Sequence, residues 1–196
     1  MNLNNCNLCP RKCGVNRNKG ELGFCKAGNK IKIARYSLHY WEEPCISGEN
    51  GSGTIFFSCC NLKCIYCQNY DISTKNNGKE ISVEKFADIC LKLQEMKALN
   101  INLVTPTMYI PLIKSGIILA KEKGLKIPIV YNTSGYESVD ALKELDGLID
   151  IYLPDCKYYD DSLAVKFSNT KDYFNTFKKT LKEMYRQVGN PVFEND

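Results

Sequence analysis

The sequence predicts an α/β fold, a partial (β/α) barrel of parallel strands with about four βα units and a Cys-rich N-terminal extension. Two observations carry that expectation. From Gly53 onward, short apolar runs alternate four times with longer stretches of helical periodicity, which calls for parallel strands joined by helical crossovers. Before that point the chain is rich in Cys, Gly, Asn and Lys with little periodic pattern. The expected division is therefore a loop-rich N-terminal segment over 1–50 and the core over 51–196.

Thr54 to Phe57 is a compact apolar run and reads as a buried strand. Ser82 can cap a helix that places Phe86, Ile89, Cys90, Leu93 and Met96 on one face, with Ile81 and Phe86 as a hydrophobic staple. Ile101 to Val104 is the second strand, followed by a helix from Ile110 to Lys123 that stops at Gly124. Ile127 to Tyr131 is the third, then a short helix from Val139 to Leu145 and a fourth strand from Ile149 to Leu153. The last helix puts Phe174, Phe177, Leu181, Met184, Tyr185 and Val188 on one stripe and ends at Gly189.

Composition narrows the function classes. The net charge of +4 is spread among interleaved Asp and Glu, and lysines outnumber arginines. No Arg and aromatic stripe suggests a nucleic-acid track. No apolar stretch approaches the ~20 residues of a membrane span, and the N-terminus does not resemble a signal peptide. Eleven cysteines are many, and all but Cys90 and Cys156 precede Phe86. In an intracellular chain such clustering reads as metal binding before disulfide bonding, so a cytoplasmic location is expected.

Cys60, Cys64 and Cys67 are spaced by three residues and then two, which gathers three thiols on one loop. A structural zinc site closes with four ligands, and an iron–sulfur cube ordinarily takes four thiolates. Three thiolates on a cube leave one iron open to a substrate. A zinc knuckle or a redox pair is the alternative for the same residues. Cys6, Cys9, Cys13 and Cys25 form a second group, spaced by two, three and eleven residues. These four can hold zinc or another iron–sulfur cluster, and Cys45 is a fifth candidate that reads more readily as a buried small residue. In a parallel barrel the chemistry sits at the C-terminal ends of the strands. That rule brings the cysteine loop, Thr105 to Thr107, Asn132 to Ser134 and Asp155 to Lys157 to one polar rim. His39, the lone histidine, reads as a packing residue more readily than as a ligand. The Gly-rich stretch from Ser47 to Gly53 enters a strand and opens no helix, so it is no phosphate cradle.

The cysteine loop resembles the cluster-binding loop of the radical S-adenosylmethionine (SAM) superfamily. The wider chain, from Cys6 to about Gly189, resembles the family of pyruvate formate-lyase activating enzymes, the activases of glycyl radical enzymes. The phrases that carry this are Cys6-Asn-Leu-Cys-Pro-Arg-Lys-Cys13, Leu38-His-Tyr-Trp-Glu-Glu-Pro44, Gly51-Ser-Gly-Thr-Ile-Phe-Phe57, Asn102-Leu-Val-Thr-Pro-Thr107, Tyr131-Asn-Thr-Ser-Gly-Tyr136, Ile151-Tyr-Leu-Pro-Asp155 and Met184-Tyr-Arg-Gln-Val188.

The resemblance implies a 4Fe-4S cluster on Cys60, Cys64 and Cys67 whose free iron chelates SAM. It implies reductive cleavage of SAM to a 5′-deoxyadenosyl radical, a glycyl radical enzyme as protein substrate, and flavodoxin or ferredoxin as electron donor. It places Tyr66 near the adenine and Thr105 and Thr107 in the slot of a turn that binds the SAM amino group. Asn132, Ser134, Asp155 and Lys157 fall at strand ends that contact the rest of SAM in relatives. Cys59 stands where the family carries glycine, and Asp196 falls where a further strand would begin. A truncated barrel is therefore expected, with self-association through its open edge, a missing half supplied elsewhere, or low stability with weak SAM binding. The rival expectation is a non-catalytic iron- or zinc-binding module. A thiol oxidoreductase lacks support, because no Cys-x-x-Cys sits on a thioredoxin-like βαβ pattern.

Overall fold

The structure, a computed structural model, describes residues 3–191. Strands β1 (Ile31–His39), β2 (Ser52–Phe57), β3 (Lys79–Ile81), β4 (Ile101–Val104), β5 (Ile129–Thr133) and β6 (Ile151–Pro154) form one sheet. Their order is β3-β1-β2-β4-β5-β6. The last four run parallel, with Ile55 opposite Leu103 and Leu103 opposite Tyr131. These are the four strands the apolar runs predict, arranged as an open half-barrel whose last strand, β6, pairs on one side only among the described residues. The end of the chain at Asp196 lies outside those residues.

An all-parallel sheet is corrected by β1, which runs antiparallel to both β2 and β3. This nine-residue strand lies inside the segment that composition reads as loop-rich. Only Ile31 and Ile33 of β1 are buried, and the rest is half-buried or exposed, so no apolar run marks it. An antiparallel strand can leave one face in water, which a parallel barrel strand rarely does. Small shifts elsewhere also have local causes. Pro128 has no N–H to give the ladder, so β5 begins after it, two residues later than the apolar run.

The helices are α1 (Pro44–Ser47), α2 (Tyr70–Ser73), α3 (Val83–Glu95), α4 (Ile110–Glu122), α5 (Val139–Lys143), α6 (Asp161–Ser168) and α7 (Tyr173–Val188). Ser82 caps α3 as expected, accepting from the Lys85 N–H at 3.1 Å. Helix α6 escaped the sequence reading because it buries only Ala164 and Ser168. In α7 the buried face is Tyr173, Phe177, Thr180, Glu183 and Met184, whereas Leu181 and Tyr185 are exposed. The inward stripe is thus rotated by about one residue from the expected one, because Tyr173 and Thr180 take the place of Phe174 and Leu181.

Two apolar clusters organise the molecule. The larger packs Ile55, Leu103 and Tyr131 of the sheet against Phe86 and Ile89 of α3 and Ile113 and Ile117 of α4. The smaller joins Leu62, Tyr136, Tyr158, Tyr173 and Phe177, and Cys60, Cys64 and Cys67 pack within or against it. Gly135 has φ +69, and a Cβ there would run into the Phe177 ring. The chain can therefore turn out of β5 beneath α7 only with glycine at that point.

Candidate active site

The cysteine loop leaves β2 at Phe57 and is tied down from both sides. Ser58 donates to the Asn77 carbonyl at 2.6 Å, the Cys59 N–H to Ile72 at 3.0 Å, and the Ile65 N–H to Phe167 at 2.9 Å. Each of the three thiols then meets a hydrogen-bond donor. The Leu62 N–H points to the Cys60 sulfur at 3.4 Å, Ser168 Oγ to Cys64 at 2.9 Å, and Ser73 Oγ to Cys67 at 3.3 Å. Donors aimed at sulfur stabilise thiolate charge, and the cluster of Tyr136, Tyr158 and Tyr173 buries Cys64 while Cys60 and Cys67 pack against it half-buried. Burial pushes the unliganded Cys60 thiol up to about 11, so metal coordination has to supply its deprotonation.

A three-link chain of hydroxyls starts within the loop at Tyr66 and returns to it at Cys64. Tyr66 donates to Tyr158 at 2.7 Å, and Tyr158 shares a 2.6 Å bond with the same Ser168 that serves Cys64. The Tyr66 ring itself stays 55% exposed. Lys157 feels the charge of Cys64 and Cys60, and burial opposes its own charge. Asp155, 2.8 Å away, outweighs that penalty and holds the ammonium above its usual pKa.

The other strand-end residues divide into two sets. Asn132 and Asp155 open toward Glu42, which receives a 3.4 Å bond from the Asn132 amide. Burial raises the Glu42 pKa, and neighbouring Glu43 raises it further. Thr107 instead turns inward. Its hydroxyl donates to Glu137 at 2.7 Å, alongside the Thr133 hydroxyl. Glu137 is 2% exposed, and burial lifts its carboxyl to about 6. Thr105 adopts φ +59 at the end of β4, a conformation that a β-branched residue seldom takes. Ser134 offers its carbonyl to Tyr173 Oη at 2.6 Å, and the same hydroxyl receives the Lys157 N–H at 2.9 Å. Tyr173 therefore staples the end of β5 to the end of β6.

Cys59 does take the backbone conformation of a glycine, with φ +75, and its buried thiol receives the Tyr109 hydroxyl at 3.5 Å. The sequence reading missed Glu137, Tyr173, Ser73, Ser168 and Asn102. Asn102 is fully buried on β4 and neither atom of its amide meets a hydrogen-bond partner, although Glu42 lies near it. A polar residue inside an apolar strand run was the one available signal.

The N-terminal cysteines line a common small pocket with Arg17 and Asn61. Among the described residues, no three His, Cys, Asp or Glu side chains close around a single ion. Nor is any described helix long and apolar enough to cross a membrane.

A half-barrel of parallel strands with three cysteines beyond its first strand defines a class, and comparison with known families agrees. The family model described as "Radical SAM superfamily" matches residues 54–193, and the chain belongs to that superfamily. The superfamily implies a 4Fe-4S cluster and SAM, and the sulfur-directed donors fit the former. Among similar proteins is Uncharacterized protein MJ0674 of Methanocaldococcus jannaschii, 35% identical over 188 residues, 89% of this chain and 52% of the relative. Uncharacterized protein MJ0808 of the same organism is 22% identical over 178 residues, 78% of this chain and 52% of the relative. The chain spans about half the length of these curated relatives, and neither name reaches below the superfamily.

Proposed function

We propose that this chain carries the SAM-cleaving core of a radical SAM enzyme, with Cys60, Cys64 and Cys67 as the cluster ligands. The observation that carries the reading is the donor aimed at each of those three sulfurs beside an aromatic cluster. The bound cluster and SAM would supply one-electron reductive cleavage to methionine and a 5′-deoxyadenosyl radical, which takes hydrogen from a substrate. The chain's own residues bind and orient. Ser73, Ser168 and the Leu62 N–H hold the thiolates, and Tyr66 stands ready to cover the adenine. Thr105, Asn132, Ser134, Asp155 and Lys157 form the polar rim for the rest of SAM. In this reading Thr107 acts indirectly, by fixing Glu137 beneath that rim.

The finer reading is activation of a glycyl radical enzyme of the pyruvate formate-lyase type, with flavodoxin or ferredoxin as electron donor, in the cytoplasm. It rests on the sequence phrases that resemble the activase family. The division at residue 50 and a second metal at the N-terminal cysteines belong to the same reading. Neither nucleic acid nor a membrane takes part in it. Anaerobic reconstitution with iron and sulfide, followed by a dithionite-driven assay for 5′-deoxyadenosine, tests the core claim. A non-catalytic metal-binding module would take up iron and release no 5′-deoxyadenosine.

A further inference from the structure

The N-terminal segment folds around its cysteines through short-range backbone bonds. The Cys6 N–H reaches Val15 at 3.0 Å, the Gly14 N–H returns to Cys6 at 2.9 Å, and the Lys12 N–H closes on Cys9 at 3.1 Å. Gly23 then lets the following stretch lie against this turn, since a Cβ there would come within 2.9 Å of the Cys13 sulfur. As a result Cys6, Cys9, Cys13 and Cys25 line a single pocket. Backbone N–H groups serve three of these sulfurs. Phe24 points to Cys13 at 3.5 Å, Arg11 to Cys9, and Ala27 to Cys25.

Arg17 supplies the second, independent sign. It is 3% exposed, and it donates to the Met108 carbonyl at 2.7 Å and toward the Cys25 sulfur at 3.7 Å. Its Nε has no partner, and among the described residues no carboxylate lies within ion-pair distance of it. A buried guanidinium without an anion is a costly arrangement. The anions within its reach are thiolates. Four thiolates around one dication carry a net negative charge, and so does a cube on four thiolates, so either centre would give Arg17 its counter-charge.

We infer that Cys6, Cys9, Cys13 and Cys25 hold a thiolate-bound metal centre, charge-balanced by Arg17, that braces the neighbouring cysteine loop. The four thiols ring a pocket and do not close on a point, so loading draws them inward. The bracing runs through Arg11, which sits between Cys9 and Cys13. Its guanidinium donates to the Asn61 carbonyl at 2.8 Å, to Asn169 at 2.7 Å and to Ser168 at 3.1 Å, and it stacks on Phe24 at 3.6 Å. Asn61 follows Cys60, and Ser168 is the donor to Cys64. Fixing the turn from Cys9 to Cys13 therefore fixes the carbonyls on both sides of the loop. The bracing role, though not the site, rests on the reading of Cys60, Cys64 and Cys67 as cluster ligands.

The full chain carrying Cys60→Ser, Cys64→Ser and Cys67→Ser, purified without oxygen and analysed for zinc, iron and sulfide, tests the site apart from that reading. The result expected is one retained centre, either zinc alone or iron with matching sulfide. A folded triple variant with neither would overturn the inference. Should that variant fail to fold, the converse chain with Cys9→Ser and Cys13→Ser decides: it should lose one centre, and an unchanged metal-to-protein ratio overturns the site. Arg17→Met should weaken retention against a chelator by roughly tenfold or more, and unchanged retention would remove Arg17 from the proposal. Bracing is read from Arg11→Gln, which should speed loss of the loop's iron–sulfur absorbance in chelator while leaving the N-terminal metal in place. Equal rates of loss in both proteins would overturn it.

Discussion

Two groups of thiols meet at Asn61, which follows Cys60 and also helps to wall the N-terminal pocket, and they are built by different means. The loop cysteines draw two of their three donors from side-chain hydroxyls, one of them 104 residues away in sequence. The N-terminal cysteines draw theirs from nearby in the chain, from backbone N–H groups no more than 11 residues distant and from the Arg17 guanidinium at Cys25. The cations differ too. Lys157 keeps 30% of its side chain in solvent, whereas Arg17 is sealed inside. A site that must admit a substrate to an open metal position needs a mouth, and a structural centre needs closure. By their cations the loop resembles the first arrangement and the N-terminal group the second. The thiols themselves are alike, with Cys60, Cys67, Cys9 and Cys13 half-buried and Cys64, Cys6 and Cys25 buried.

The largest effect that separates the two is loss of activity. Replacing Cys60, Cys64 or Cys67 with Ala should abolish dithionite-driven 5′-deoxyadenosine formation, measured by chromatography. Cys13→Ala should leave a measurable fraction, since it removes a brace and no cluster ligand. Equal and complete loss in both would erase the distinction.

The rim depends on tertiary contacts, so its next vulnerability is the staple. Tyr173→Phe keeps the ring in its stack but strips the Lys157 N–H and the Ser134 carbonyl of their shared partner. Two stranded backbone groups should cost about 3 kcal/mol of unfolding free energy by urea titration. A loss below about 1 kcal/mol would mean that water replaces the hydroxyl at no penalty.

Glu137 offers a pH-dependent handle on the same rim. Its folded pKa, raised by burial to about 6, lies above the ordinary carboxylate value. The folded state therefore holds this proton more tightly than the unfolded chain does. The associated stability is complete below pH about 4.5 and falls away as the pH rises through about 6, by about 2 kcal/mol in all. Glu137→Gln should flatten that part of the curve. Urea midpoints that run parallel in the two proteins from pH 4.5 to pH 8 would show that Glu137 titrates normally.

Asn102 should give a smaller change of opposite sign. Its amide is buried and unpartnered, so Asn102→Leu should stabilise the fold by about 1 kcal/mol while weakening SAM binding in a calorimetric titration. Unchanged SAM affinity would make Asn102 a packing residue.

How much of this was legible follows from the range of each interaction. Strands β2, β4 and β5 showed as largely apolar runs because both of their faces are covered, whereas β6 is half-buried throughout. The strand-end rule then pointed to Thr105, Asn132 and Asp155 as rim candidates. Strand β1 was hidden because its exposed face mixes Arg35 and Ser37 into the pattern. Ser168, Tyr173 and Arg11 were hidden for another reason. Each has an ordinary residue type in an ordinary local setting, and its role comes from a partner far along the chain. The N-terminal cysteines stood out by spacing alone, yet nothing in the sequence marked Arg17 as the buried cation beside them.

The smallest expected effect lies at Cys59, which adjoins Cys60 in sequence and whose charge Cys25 would feel. Its φ of +75 carries the strain of a side chain in the left-handed region, about 1–2 kcal/mol. Cys59→Gly would relieve that strain. Against it stand the added freedom of glycine in the unfolded chain, about 0.5–1 kcal/mol, and the loss of a buried CH₂–SH group, about 1 kcal/mol. These terms nearly cancel, so the variant should unfold within about 1 kcal/mol of the parent. Iron uptake then sharpens the comparison. If the neighbouring thiol competes for iron, Cys59→Gly should raise the fraction of chains that reconstitute with a SAM-responsive cluster, read by electron paramagnetic resonance with and without SAM. An unchanged fraction would show that Tyr109 and the surrounding core hold the Cys59 sulfur away from the loop, and that this cysteine belongs to neither group.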